Sequence, residues 1–202
     1  MKDKVIFWLD QDFTYYGIAN YLQKKNDYDF FAIIDVTNKV KTFFKEQKLV
    51  EFKKTWYYFE NISRKEEIDL EYLQNFEKKY NINLWELAIN ERIFYNYNHF
   101  HNFSDEEILS ILTQECKLFE SILDEAKPDF FLTKQLSQHK DSLFYKICKA
   151  RGIKVIILSQ PKFAYHATLS SESQKFDTTD RLSDFQIEGK SFGELRDVLK
   201  SY

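Results

Sequence analysis

Residues 5–17, Val5-Ile6-Phe7-Trp8-Leu9-Asp10-Gln11-Asp12-Phe13-Thr14-Tyr15-Tyr16-Gly17, decide how the chain folds. Five apolar residues in a row leave no polar face, so they read as a strand buried on both sides, as in a parallel sheet covered by helices. The run stops at carboxylates. Ile18, Ala19, Tyr21 and Leu22 then follow at helical spacing, with Lys24 and Lys25 where cations suit a helix C-terminus. Strand, loop and helix in that order open an α/β sheet, whose ligands bind outside the carboxyl ends of the strands. Asp10, Gln11 and Asp12 are thereby expected at the mouth of a crevice.

The same pattern recurs along the chain. Phe30 to Ile34 form a second buried strand ending at Asp35, a helix capped by Thr37 runs to Gln47, and an aromatic third strand spans 55–59. Two helical patterns without a strand between them, over 68–80 and 84–95, read as a cap inserted at about 62–103. Ser104 and Glu107 make a capping box for a helix of about 33 Å that Pro128 stops. A fourth strand from Asp129 to Thr133 ends in Lys134, Gln135, Leu136 and Ser137. The helix after it carries Leu143, Phe144, Ile147 and Cys148 inward and closes at Arg151-Gly152, with Gly at C′. The fifth strand, 153–158, ends in Ser159 and Gln160. These last elements form a βαβ unit, so both strands are parallel and their loops share the edge that carries Asp10.

The expected fold is therefore α/β: a Rossmann-like parallel sheet of about five strands, helices on both faces and an inserted helical cap. The α/β domain takes residues 1–168, and 169–202 read as a polar loop and a short final helix with Ser191 and Glu194 as a second capping box.

Composition narrows the function classes. Only four glycines and two prolines accompany 18% aromatic residues, and neither a P-loop nor a dinucleotide fingerprint occurs. Twenty-nine Lys and Arg face thirty-two Asp and Glu, a formal charge of −3, which lacks the unopposed cations that nucleic acid binding requires. Cys116 and Cys148 sit within apolar helical patterns and read as reduced core thiols. The apolar run after Met1 to Lys4 is too short for a signal peptide, and no stretch approaches the ~18 apolar residues of a membrane span. A cytoplasmic location without a membrane span is the expectation.

Chemistry is expected where the strand ends meet: Asp10-Gln11-Asp12, Thr133 to Ser137, and Ser159 to Lys162. Carboxylates, amides, hydroxyls and ammonium groups at one edge, with Tyr15 and Tyr16 as aromatic faces, suit a polyhydroxylated ligand. Asp10 or Asp12 is the candidate general base, and capping of the first helix is the competing role, more so for Asp12. Gln11, Lys134, Gln135, Ser159 and Gln160 are candidate positioning groups. In the cap, the Glu91-Arg92 pair leaves two uses for Arg92: holding an anionic group, or bracing the cap. No metal site is expected, since His99 and His101 have no further ligands near them in sequence. His139 and His166 read as cap or surface residues.

Three stretches together carry a resemblance: Val5 to Tyr16, Tyr80-Asn81-Ile82-Asn83-Leu84-Trp85-Glu86-Leu87-Ala88-Ile89-Asn90-Glu91-Arg92, and Pro128 to Thr133 with the strand after Arg151-Gly152. They resemble the N-terminal halves of capsule and surface polysaccharide biosynthesis proteins, which are similar to two-domain GT-B glycosyltransferases and to nucleotide-sugar epimerases. The resemblance covers most of residues 1–165. It implies an acceptor-binding domain, with the nucleotide sugar held by a second, C-terminal domain and no cofactor in this chain. Because the sequence stops at Tyr202, where a second domain would begin, the implied partners are a carbohydrate acceptor and a donor-binding domain or partner chain. The alternative is a non-catalytic carbohydrate-binding or assembly module that uses the aromatic surface of Trp56, Tyr57 and Tyr58 or the cap. A small hydrolase is disfavoured, since Ser137 and Ser159 lack a glycine-flanked nucleophile elbow.

Overall fold

A computed structural model describes residues 2–63, 68–95, 99, 101–159 and 167–173. The opening run forms β1 (Lys4–Leu9), with every residue from Val5 to Leu9 buried. Its side chains alternate between two cores. Val5, Phe7 and Leu9 pack with α1 (Thr14–Lys25) and α2 (Asn38–Glu46), while Ile6 and Trp8 point to the opposite layer. Being buried on both faces is what makes the sequence continuously apolar there.

β1 pairs in parallel with β2 (Asp29–Ile34), Val5 opposite Phe30, and with β4 (Phe130–Lys134), Val5 opposite Phe130. β3 (Phe52–Tyr57) lies outside β2, and β5 (Lys154–Ser159) outside β4. Among the described residues the sheet reads β3-β2-β1-β4-β5-β6, the last strand being β6 (Thr168–Ser170), antiparallel to β5. The Rossmann-like α/β fold is thus present with one strand more than the five expected. β6 is three residues long and lies in a polar stretch, so it offers no periodicity to read.

The chain runs outward from β1 to β3, then returns across the sheet to β4 and runs outward the other way. The return is made by α7 (Asp105–Ala126). Its capping box is formed as expected, with Glu107 N–H donating to Ser104 Oγ (3.2 Å) and Ser104 N–H to Glu107 Oε2 (3.1 Å). It ends at Lys127, whose φ of +46° is left-handed, before Pro128. α8 (His139–Ala150) joins β4 to β5 and closes at Gly152, φ +72°. On this face Trp8 is 1% exposed, set between Phe119 and Phe144 at ring distances of 5.9 and 5.8 Å.

The described residues between β3 and α7 are largely helical, with two departures from expectation. β3 ends at Tyr57, and Tyr58 turns inward as the first residue of α3 (Tyr58–Asn61), because its hydroxyl bonds the buried Glu115. Trp56 and Tyr58 are therefore buried, and do not form the exposed aromatic surface proposed for an assembly module. After α4 (Leu70–Tyr80), the single helix expected over 84–95 is two, α5 (Leu84–Ile89) and α6 (Arg92–Tyr95). The break falls at Asn90-Glu91, where the Glu91 carboxylate accepts the Ile93 N–H (3.0 Å) and turns toward α8. Glu120 of α7 fastens α4, accepting hydroxyl bonds from Tyr72 (2.6 Å) and Tyr80 (2.7 Å) and one from Lys79 (2.6 Å). The short final helix expected near the C-terminus lies outside the described residues.

Candidate functional site

The sheet order reverses between β1 and β4, so their carboxyl ends diverge into opposite layers and leave a crevice. Asp10 follows β1 directly, and Lys134 ends β4. The two meet: Lys134 Nζ donates to Asp10 Oδ2, and Asp10 Oδ1 accepts the Asp12 N–H (2.8 Å). Asp10 is 8% exposed. The first loop and the fourth-strand loop therefore occupy one edge, as the βαβ reading requires.

On the β2 side of this pair lies a cleft of about 270 Å³, lined among others by Asp10, Gln11, Asp35, Thr37, Lys134 and Lys140. Asp35 repeats on β2 what Asp10 does on β1. It accepts Lys140 Nζ (2.6 Å) at Oδ1 and the Trp8 indole N–H (3.2 Å) at Oδ2, so a core tryptophan orients a cleft carboxylate. Lys140 is nearly buried, its ammonium 4.4 Å from the Tyr58 ring centroid and 4.7 Å from that of Phe59. On the β5 side a smaller cleft of about 170 Å³ is lined by Asp12, Thr14, Tyr15, Lys134, Gln135, Leu158 and Ser159. Lys134 belongs to both.

The expected residues thus divide. Asp10, Gln11 and Lys134 meet in the larger cleft, and Asp12, Tyr15, Lys134, Gln135 and Ser159 in the smaller one. Tyr15 offers only its ring, because its hydroxyl donates to Leu158 C=O (2.7 Å) and burial holds the phenol far above its usual range. Asp12 accepts the Thr14 hydroxyl (2.6 Å) and N–H (3.0 Å), which lower its carboxyl and fit it to cap α1 rather than to take a proton. Tyr16 does not reach the cleft. It is buried, donating to Gln47 Oε1 (2.6 Å) among Phe13, Phe43 and Phe44. Arg92 is exposed and lines none of the described cavities; the cap is braced instead by its neighbour Glu91. Gln160 lies outside the described residues, as do Lys162 and His166.

The residue whose role the sequence concealed most is His139. It is buried at the first turn of α8, donating Nδ1–H to Glu91 Oε2 (2.8 Å) and Nε2–H to Glu115 Oε1 (2.9 Å), and its backbone N–H also bonds Glu91 (2.7 Å). Burial alone would lower its pKa. The charges and hydrogen bonds of Glu115 and Glu91 outweigh burial and raise it to about 9. Burial pulls Glu91 upward, yet the His139 ring and two backbone N–H groups bring it to about 2. Tyr58 donates its hydroxyl to the same Glu115 oxygen, and burial together with that carboxylate keeps the phenol protonated. The second Glu115 oxygen has no partner among the described residues. No local pattern marks this cluster, since its members come from α3, the α5–α6 break, α7 and α8. Asp35 was more legible, since it closes a buried strand as Asp10 does.

His101 pairs with Glu107 (2.9 Å), and no group of three or more His, Cys, Asp or Glu able to hold a metal ion occurs among the described residues. No described helix is long and apolar enough to cross a membrane. Comparison of the chain with protein-family models, with curated proteins and with solved structures finds no match.

Proposed function

We propose that the domain binds a neutral polyhydroxylated molecule, a sugar, at the switch point, as the acceptor-binding half of a glycosyltransferase-like protein in surface polysaccharide biosynthesis. The observation that carries this reading is the charge balance of the larger cleft: two carboxylates and two ammonium groups in two pairs, Asp10 with Lys134 and Asp35 with Lys140. An anionic ligand would need unopposed cations and a cationic one unopposed carboxylates. A sugar hydroxyl both donates and accepts, and can insert into such a pair without leaving a charge unmatched.

The helix N-termini favour the same class. A carboxylate already occupies two of them: Asp12 takes the Thr14 N–H at α1 (3.0 Å), and Glu91 takes the His139 N–H at α8 (2.7 Å). A diphosphate would have to displace both.

In the transfer reading, Asp10 orients an acceptor hydroxyl while Lys134 shifts to the incoming oxygen. That oxygen attacks the anomeric carbon of a nucleotide sugar held by a second domain or partner chain, the nucleoside diphosphate leaves, and the hydroxyl proton passes to Asp10. Gln11, Lys134 and Lys140 position the acceptor. Both Asp10 oxygens are engaged in the free domain, which favours as a second reading a carbohydrate-binding module that performs no transfer.

Saturation-transfer NMR on the 202-residue chain, with methyl glycosides of common hexoses and with UDP as probes, tests the ligand class. A glycoside signal weakened about tenfold in affinity by Lys134→Met, a loss of about 1.4 kcal/mol, is expected. Binding of UDP in place of every glycoside, or glycoside binding indifferent to Lys134, would overturn it.

A further inference from the structure

A second cavity, of about 300 Å³, lies beside the polar cleft and is built of Tyr58, Phe59, Ile62, Phe94, Phe103 and Ile111, among others. Phe59, Gln138 and Lys140 line both spaces. Lys140 divides them: its ammonium pairs with Asp35 of the cleft while lying over the Tyr58 and Phe59 rings of the cavity. Phe59 is 49% exposed and Ile93, which also lines the cavity, 41%, so its rim is open to solvent and apolar.

The ionisable groups in the cavity wall ask nothing of a ligand. Both His139 nitrogens are bonded to Glu91 and Glu115, and the Tyr58 hydroxyl to Glu115. Lys140 turns its ammonium to Asp35, on the cleft side. Apart from Ser63 and Gln138 the rest of the lining is apolar, so an apolar ligand group gains burial here at roughly 25 cal/mol per Å². At the ~30 Å³ share of one water, the cavity is about ten waters in size, room for a phenyl or octyl group.

We infer that cleft and cavity are two subsites of one amphiphilic ligand, a sugar carrying an aryl or alkyl group, with the sugar between Asp10 and Lys134 and the apolar group between Phe59, Ile93 and Phe103. The inference rests on the sugar reading of the cleft. What commits the cavity to this occupant is that it adjoins the cleft, with Phe59, Gln138 and Lys140 as shared walls: a ligand lying across Lys140 places its sugar in one space and an attached apolar group in the other. The two spaces together fall within the ~300–1,000 Å³ of small-molecule sites, whereas the cleft alone lies below it.

Isothermal titration with methyl glucoside, octanol and octyl glucoside, the last below its micelle concentration, separates the subsites. Octyl glucoside is expected to bind at least tenfold tighter than either fragment. Ile93→Trp, a change at a half-exposed rim position, should bring it back to the methyl glucoside value without altering the latter, and Lys134→Met should weaken both glucosides. Equal affinities of methyl and octyl glucoside in the unaltered chain would overturn the apolar subsite and leave the sugar cleft standing. Octanol binding as tightly as octyl glucoside, and lost in Ile93→Trp, would overturn the sugar cleft and with it the two-part ligand, while leaving an apolar site. No binding of any of the three would overturn both.

Discussion

Two charge clusters lie within one domain and do opposite work. At the sheet edge, Asp10–Lys134 and Asp35–Lys140 border an open cleft, and the Lys134 side chain is 33% exposed. Beneath the cap, Glu91, His139 and Glu115 are almost wholly enclosed, with Tyr58 sharing Glu115. In the first cluster Lys134 can exchange a partner for a ligand group because water reaches it, whereas Lys140 and Asp35 meet solvent only at the cleft wall. The second cannot exchange anything, because a lost partner there leaves a charge in a medium that does not solvate it. The contrast separates a binding edge from a structural joint, although both consist of carboxylates and cations of similar spacing.

The sharpest way to break this contrast is to remove the joint. His139→Ala leaves two buried carboxylates facing each other, one with an oxygen already unpartnered, and should cost about 3–5 kcal/mol of unfolding free energy. Adding Glu115→Gln should restore part of that, since one buried charge disappears with it. Urea unfolding at pH 6 reads both. A loss under about 1 kcal/mol for His139→Ala would mean that α8 is held to the cap and α7 by apolar packing alone.

Next in size is the pH response of the same joint. The folded pKa of His139, about 9, lies above its ordinary 6.5, so protonation favours the folded state. Its contribution is complete below pH 6.5 and disappears as the pH rises through 9, by up to about 3 kcal/mol. Glu91 works the other way: at about 2 against an ordinary 4.5, it stabilises above pH 4.5, and that contribution is lost as the pH falls toward 2. Stability from the joint should thus be greatest between pH 4.5 and 6.5. Melting curves over pH 4–10 should show this plateau and the alkaline decline, and His139→Gln should flatten the decline. A decline unchanged in that variant would assign it to other groups.

What the sequence disclosed follows the same division. β1, β2, β4 and β5 were legible because a strand buried on both faces must be apolar throughout, and a strand end must be polar where it leaves the sheet. That logic placed Asp10, Gln11 and Lys134 correctly at one edge, and applied to β2 it would have added Asp35. The capping box of α7 was legible because its partners are three residues apart. His139 was not, because its partners Glu91 and Glu115 are 48 and 24 residues away. The same long-range bond breaks the 84–95 pattern into α5 and α6, since its apolar periodicity carries no sign that Glu91 must turn inward. Tyr16 was misplaced for a local reason. Adjacent helical positions lie about 100° apart, so Tyr15 and Tyr16 cannot both face the cleft.

The smallest effect on stability tests the binding edge. Lys134 is one-third exposed and pairs with a carboxylate that keeps the Asp12 N–H as a second partner, so Lys134→Met should cost about 1 kcal/mol or less. The substitution keeps the apolar stem and removes only the ammonium. If the edge is a site for exchange, sugar affinity must fall about tenfold while the urea midpoint scarcely moves. That is the reverse of His139→Ala, whose effect on binding should follow only from lost folding. Equal losses of stability and affinity in Lys134→Met would make Asp10–Lys134 a structural joint like the one beneath the cap, and the distinction between the clusters would fail at the residue where it is most exposed to test.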